Sequence, residues 1–186
     1  MTMEPFVVET DRLVLDLPIP SDRDRVIEYC RDPLFEHFLT LPWPYEPRHA
    51  DFFLETFVPK GWSRGNELTW AIRLESGGPL LGIIGWRRDH GDLGFWLGSP
   101  HRGRGYMTEA TIAVTDRLIR ELGLDEVAWE CVAGNHASAS VARKAGFTYT
   151  GAAPTRLTFR DGSHPLSWHG VFGADDDHAP KPGWPT

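Results

Sequence analysis

With 186 residues, 41% of them hydrophobic and 24% charged, the chain is long enough to bury a single sizeable core without disulfide or metal staples. A formal net charge of -7 argues against a nucleic-acid binder and is compatible with a cationic acceptor. No apolar run approaches the roughly 18 residues of a membrane span and the N-terminus carries no secretory signal, so a cytoplasmic protein with Cys30 and Cys131 as free buried thiols is expected.

Leu13, Leu15 and Leu17 alternate after Thr10-Asp11-Arg12, which predicts an opening strand over residues 6–17, ended by Pro18-Ile19-Pro20. Ser21, with Asp24 three residues on, predicts a capped helix that buries Val26, Tyr29 and Cys30. A second helix is expected from about Pro47 to Val58, after a proline-rich aromatic turn at 41–45. Aromatics are dense between Phe35 and Trp62 and read as core and lid packing, with an acceptor site as the alternative.

From Leu68 the pattern turns to strands, over 68–74, 80–88 and 92–98, the first two joined by the hairpin signal Ser76-Gly77-Gly78-Pro79. A glycine loop at 99–105 leads into a helix whose Ala110, Val114, Leu118 and Leu122 recur every four residues until Gly123 stops it. Residues 126–132 form a short buried strand, Asn135 caps a small-residue helix to Ala145, and strands follow near 147–153 and 166–172. The acidic, proline-rich composition from Gly173 onward predicts a segment that cannot order itself. A single mixed α/β domain over residues 1–172 with a disordered tail over 173–186 is therefore expected.

The most informative stretch runs from Gly94 to Ala110: a strand, a basic glycine loop and an amphipathic helix. A helix N-terminus offers unpaired N–H groups and a positive dipole end, and glycines let the backbone approach an anion closely, so Arg102-Gly103-Arg104-Gly105 reads as a diphosphate cradle. It lacks the GK[ST] ending of a P-loop and the third glycine of a dinucleotide fingerprint, and a tight turn with solvated arginines is the competing reading. Downstream, Asn135 to Phe147 places a capping asparagine before a helix with a small-residue face, closed by Gly146-Phe147.

Together these two segments, with Thr10-Asp11-Arg12-Leu13-Val14-Leu15 and the run Gly103 to Ala110, resemble the GCN5-related N-acetyltransferase family and its RimJ/RimL-like branch, over about residues 6–172. The resemblance implies a twisted, mostly antiparallel sheet flanked by helices, with acetyl-coenzyme A entering where two adjacent parallel strands splay. It implies a coenzyme A loop on Arg102, Gly103, Arg104, Gly105, Tyr106 and Met107, a pantetheine edge on Phe95, Trp96 and Leu97, and a pantetheine contact at Asn135. One departure is Pro100, which stands where the family's loop begins with Gln or Arg. Homodimers are common in such families and set the expectation for self-association.

Direct acetyl transfer needs an amine that is deprotonated and aimed at the thioester, and a departing thiolate that is stabilised. By the resemblance, the base falls at Glu130, on a strand face with Ala128 and Val132 where partial desolvation favours taking up a proton; a structural carboxylate is the equal alternative. The family's acid, a tyrosine, falls on Ala142, so Ser138 is the better candidate to hydrogen-bond the sulfur, against a simple capping role. Tyr106 and Tyr149 are outside candidates for the acid and Asp92 for the base, whereas Glu109 reads as favouring its helix dipole and Cys131 as a non-nucleophile. His101 and His136 flank the loops without metal-site spacing, and no metal is expected. The resemblance implies an amine acceptor: a protein N-terminus first, a small-molecule amine such as an antibiotic, polyamine or amino-acid derivative second. Loss of the family tyrosine keeps a non-catalytic acyl-coenzyme A-binding module as a third reading.

Overall fold

Alternating apolar residues build a sheet that buries both faces, and the computed structural model, which describes residues 3–185, shows where each face goes. Eight strands run in the order β1-β2-β3-β4-β5-β6-β8-β7, with β1 at Val8–Glu9, β2 at Val14–Asp16, β3 at Glu67–Arg73, β4 at Gly82–Arg87, β5 at Asp92–Leu97, β6 at Glu126–Val132, β7 at Thr148–Pro154 and β8 at Leu166–Gly173. Every pairing is antiparallel except β5 with β6. On one face Leu68, Trp70, Leu93 and Trp129 join Val114 and Leu118 of α5 (Tyr106–Leu122) and Ala139 and Ala142 of α6 (His136–Lys144) in the larger core. On the other face Ala71, Ile83 and Trp96 meet α1 (Arg23–Cys30), α2 (Pro33–Phe38) and α3 (Pro47–Phe52). Among the described residues no helix is long and apolar enough to cross a membrane.

The opening segment departs from its expected single strand. Residues 10–13 turn, with the Thr10 N–H on Leu13 O at 3.0 Å, and split it into the antiparallel pair β1 and β2. Nor does Ser21 cap the first helix: Pro20–Asp22 is a 3-10 turn, and Asp22, 4% exposed, accepts the Ile19 N–H and holds Arg73 through both oxygens at 2.7 Å. The short α2 was not predicted; Asp32 caps it by accepting the Leu34 N–H, and Pro33 fits the first helical position, where no N–H is needed.

The helix expected from Pro47 continues past Val58. After α3, Phe53–Phe57 form a π-helical turn and α4 (Val58–Arg64) follows, ending at Gly65 with φ 64°. Pro59 lacks the N–H that would bond Glu55 and its ring crowds that carbonyl, and a widened turn just before it relieves both problems.

The C-terminal segment, expected to lack order, is tied back onto the domain. His178 places one ring nitrogen 2.7 Å from Ala145 O and the other 2.9 Å from Asp116 and stacks on Phe172, while Trp184 packs 5.4 Å from Trp129 and 5.5 Å from Tyr149. Composition counted the aspartates and prolines; these two anchors find partners only in the folded domain.

Candidate active site

β5 and β6 pair as parallel strands only at Asp92–Ala128 and Leu93–Trp129, then diverge. β5 stays bonded to β4 as far as Leu97, and β6 stays bonded to β8 as far as Val132, so each outer neighbour holds its strand while the inner edges part. Buried backbone N–H and C=O groups need partners. The open edge of β5 thus offers a ladder to an extended ligand arm, and Phe95, Trp96 and Leu97 line a cleft of about 590 Å³ there.

The glycine loop closes the far end of this cleft. Gly103 and Gly105 have φ of 75° and 79°, and a Cβ built on Gly103 would meet nothing within 4 Å. α5 starts without a side-chain cap, and among the described residues the N–H groups from Gly103 to Thr108 find no acceptor in the protein. Such a nest of free N–H groups at a helix N-terminus suits a diphosphate.

The loop is braced from the N-terminal turn. The Thr10 hydroxyl donates to Glu109 at 2.5 Å, Arg12 donates to Glu109 at 2.6 Å and to Arg104 O at 3.0 Å, and its guanidinium lies 5.0 Å from the centre of the Tyr106 ring. Glu109 therefore ties the loop to the N-terminal turn in addition to favouring its helix dipole. Arg102 lines the cleft but spends its guanidinium on Leu97 O, Asp32 and the face of Phe35, while Arg104 is exposed and outside the cleft wall. Tyr106 and Met107 line the cleft. His101 bonds Tyr29 at 2.8 Å and is held below the usual histidine range by burial and by the charges of Arg25 and Arg104, which keeps it neutral beside an already basic loop.

A second cleft, of about 380 Å³, adjoins the first, and Phe38, Leu39, Phe95, Trp96, Asn135 and Ser138 line both. Asn135 accepts the Ser138 N–H at 3.2 Å and caps α6, which fixes both residues at the junction. Glu130 reaches the second cleft from β6. Its side chain is 2% exposed; one oxygen accepts the Arg156 N–H at 3.3 Å and sits 3.5 Å from His169 Nδ1, while the other, Oε1, has no hydrogen-bond partner among the described residues. A buried carboxylate oxygen with no partner is costly unless something comes to it. Opposite, Gly85 and Gly94 are adjacent across β4 and β5, and the Arg87 guanidinium lies over Gly94, 3.8 Å from where a Cβ would stand, so the floor beside Glu130 is glycine and a guanidinium already bonded to Asp92.

Of the other candidates, Cys131 lines the second cleft and His136 the first, and the rest stand apart. Asp92 is fully buried in a two-point pair with Arg87 at 2.9 and 2.6 Å and so is engaged in structure. Tyr149 lies outside both cleft linings, against Trp184. Ala142 is buried in the core. Burial pushes the Cys131 thiol up to about 12, which keeps it protonated, and the thiol faces Asn135 O at 3.7 Å. His136 packs against Trp168. Sequence reasoning missed His169, which joins Glu130 by cross-strand register, and Arg156, whose loop position has no periodic signal. It also missed Glu67, a strand-end carboxylate on the wall of the second cleft.

Comparison with known proteins agrees with this fold. The family model described as an acetyltransferase (GNAT) domain matches residues 12–148. YdaF of Bacillus subtilis (strain 168), whose name provisionally assigns it as a ribosomal N-acetyltransferase, is 25% identical over 171 residues, spanning 87% of this chain and 92% of its own. Among solved structures, RimL, a ribosomal L7/L12 alpha-N-protein acetyltransferase in complex with coenzyme A, superposes with a TM-score of 0.77 at 17% identity, over 92% of this chain and all of the other. A ribosomal-protein-S5-alanine acetyltransferase from Vibrio fischeri superposes with a TM-score of 0.74 at 17% identity, over 95% and 100%.

Proposed function

Since the chain belongs to the GNAT acetyltransferase family and is an acetyl-coenzyme A-dependent N-acetyltransferase, we propose that its acceptor is the α-amine of a protein or peptide N-terminus and that Glu130 is the base. The observation that carries this reading is the Oε1 of Glu130, unpartnered among the described residues and buried on the wall of the second cleft, which adjoins the first. The names of the relatives, which concern ribosomal-protein acetylation, support a protein acceptor.

The residues present fit acetyl-coenzyme A. The free N–H groups from Gly103 to Thr108 would hold its diphosphate, the open edge of β5 at Phe95 to Leu97 would pair its pantetheine arm, and Asn135 would face that arm. When bound, it supplies an activated acetyl group and a thiolate leaving group. Glu130 Oε1 accepts the proton that the acceptor's ammonium must lose, and the Arg156 N–H holds the other carboxylate oxygen in place. The Ser138 hydroxyl, at the junction of the clefts, donates to the developing thiolate.

A magnitude favours α-amines. At pH 7, deprotonating an amine of pKa near 7.8 costs about 1 kcal/mol, against about 4.6 for a lysine-like amine near 10.4. One carboxylate suffices for the first and is strained by the second. The test is acetyl transfer to peptides beginning with Ala or Ser, read by mass spectrometry. Acetylation confined to the α-amine, and lost when that amine is formylated, supports the reading; acetylation of lysine side chains instead, or of no peptide while small amines react, refutes it.

A further inference from the structure

The second cleft holds a carboxylate that acetyl transfer does not use. Glu67 begins β3 on the sheet face that carries Glu130; its cross-strand neighbours are Arg87 and then Asp92, and the next row holds Thr69, Gly85 and Gly94. Arg87 commits its guanidinium to Asp92 at two points, so its charge is already matched. Glu67 has no hydrogen-bond or ion-pair partner among the described residues. Burial pushes its carboxyl up to about 7, against the pull of Arg87 and with Asp92 and Asp89 adding to the rise. The free protein thus carries this anion at a cost that a bound cation would remove.

Glu67 and Glu130 both line the second cleft, and among the described residues no arginine or lysine side chain hydrogen-bonds either. Three strand spacings and a two-residue offset separate them, about 16 Å between Cα atoms. Both side chains rise from the same sheet face, so their carboxylates are separated by a distance of the same order. Between them the floor is Gly85 and Gly94, with the Arg87 guanidinium, already bonded to Asp92, lying over Gly94, and the walls include the stacked rings of Phe53 and Phe57, 5.9 Å apart, which present π faces suited to a cation and its alkyl stem.

We propose that Glu67 takes a second cationic group of the acceptor, so that the substrates are N-termini with a lysine or arginine at the second or third residue. An extended lysine there places its ammonium on the order of 10 Å from the α-amine, and about 3 Å from each nitrogen to its carboxylate brings the span to about 16 Å. The inference rests on the reading of Glu130 as the base that faces the α-amine.

The experiment compares peptides identical except for lysine or acetyl-lysine at the second residue, with the wild type and Glu67→Gln, by steady-state release of coenzyme A. The wild type is expected to prefer the lysine peptide about tenfold in kcat/KM, through KM, and the preference to fall to within about twofold of unity in Glu67→Gln. A preference that survives the substitution, or no preference in the wild type, overturns the proposal. If no peptide is acetylated, the N-terminal reading fails by itself. The same ratio is then taken with 1,8-diaminooctane against octylamine, where a wild-type preference for the diamine that Glu67→Gln abolishes upholds Glu67 as the second-cation site and an equal ratio in the two proteins overturns it.

Discussion

Replacing Glu130 with Gln tests the chemistry at its most exposed point. The amide keeps the shape of the carboxylate and can still accept the Arg156 N–H, but Oε1, which lacks a partner, is replaced in function by a group that cannot take a proton. General-base assistance contributes about 10²- to 10⁴-fold, so kcat/KM at pH 7 should fall by at least about 10²-fold. An α-amine of pKa near 7.8 is about one-seventh neutral at pH 7 and almost wholly neutral at pH 9, so the variant should recover about sevenfold over that range relative to the wild type. The assay is coenzyme A release across pH 6.5–9.5, roughly the range in which such an amine titrates, with acetyl-coenzyme A binding measured in parallel by calorimetry. A variant that keeps more than about half the wild-type rate at pH 7 would refute the role given to Glu130. So would a deficit that does not change with pH.

Three further outcomes follow from the same geometry. Arg73, 2% exposed, holds Asp16 and Asp22, so Arg73→Ala leaves the buried Asp22 unpaired and should cost about 3–5 kcal/mol in urea unfolding. Glu67 is raised to about 7 in the folded protein from an ordinary carboxylate value, so the unfolded chain ionises first and stability falls as pH climbs toward 7; Glu67→Gln should melt at the same temperature as the wild type near pH 4 and above it at pH 8, by thermal unfolding at each pH. Trp184→Ala should cost about 2 kcal/mol through lost packing on Trp129 and Tyr149, whereas a disordered tail would show no change in chemical denaturation.

The elements around the site were legible because local chemistry sets them. Gly123 and Gly146 end their helices with φ of 62° and 91°, the apolar repeat from Ala110 to Leu118 lies buried, and Asn135 caps α6 as its spacing predicts. What stayed hidden depends on partners far along the chain. Thr10 and Arg12 read as the entry to a strand, yet they brace the glycine loop through Glu109, 99 and 97 residues away. Asp22 looked like part of a helix start and is instead one jaw of a buried clamp on Arg73. Arg102 was expected to add charge for a phosphate, but the packing of α2, itself unforeseen, gives its guanidinium to Asp32 and Phe35. Glu130 could be singled out through the family resemblance. That one of its oxygens is left without a partner is a property of the splay between β5 and β6, which no local pattern reports.

The central claim is that the nest of free N–H groups and the open edge of β5 hold acetyl-coenzyme A beside Glu130. Titrating acetyl-coenzyme A into the protein and into Gly103→Trp tests it most directly, because the indole would fill the space above a glycine whose φ of 75° also resists any side chain. Micromolar binding in the wild type that the variant loses is the predicted result. Equal binding by the two proteins, or none by the wild type, would contradict the placement of the cofactor.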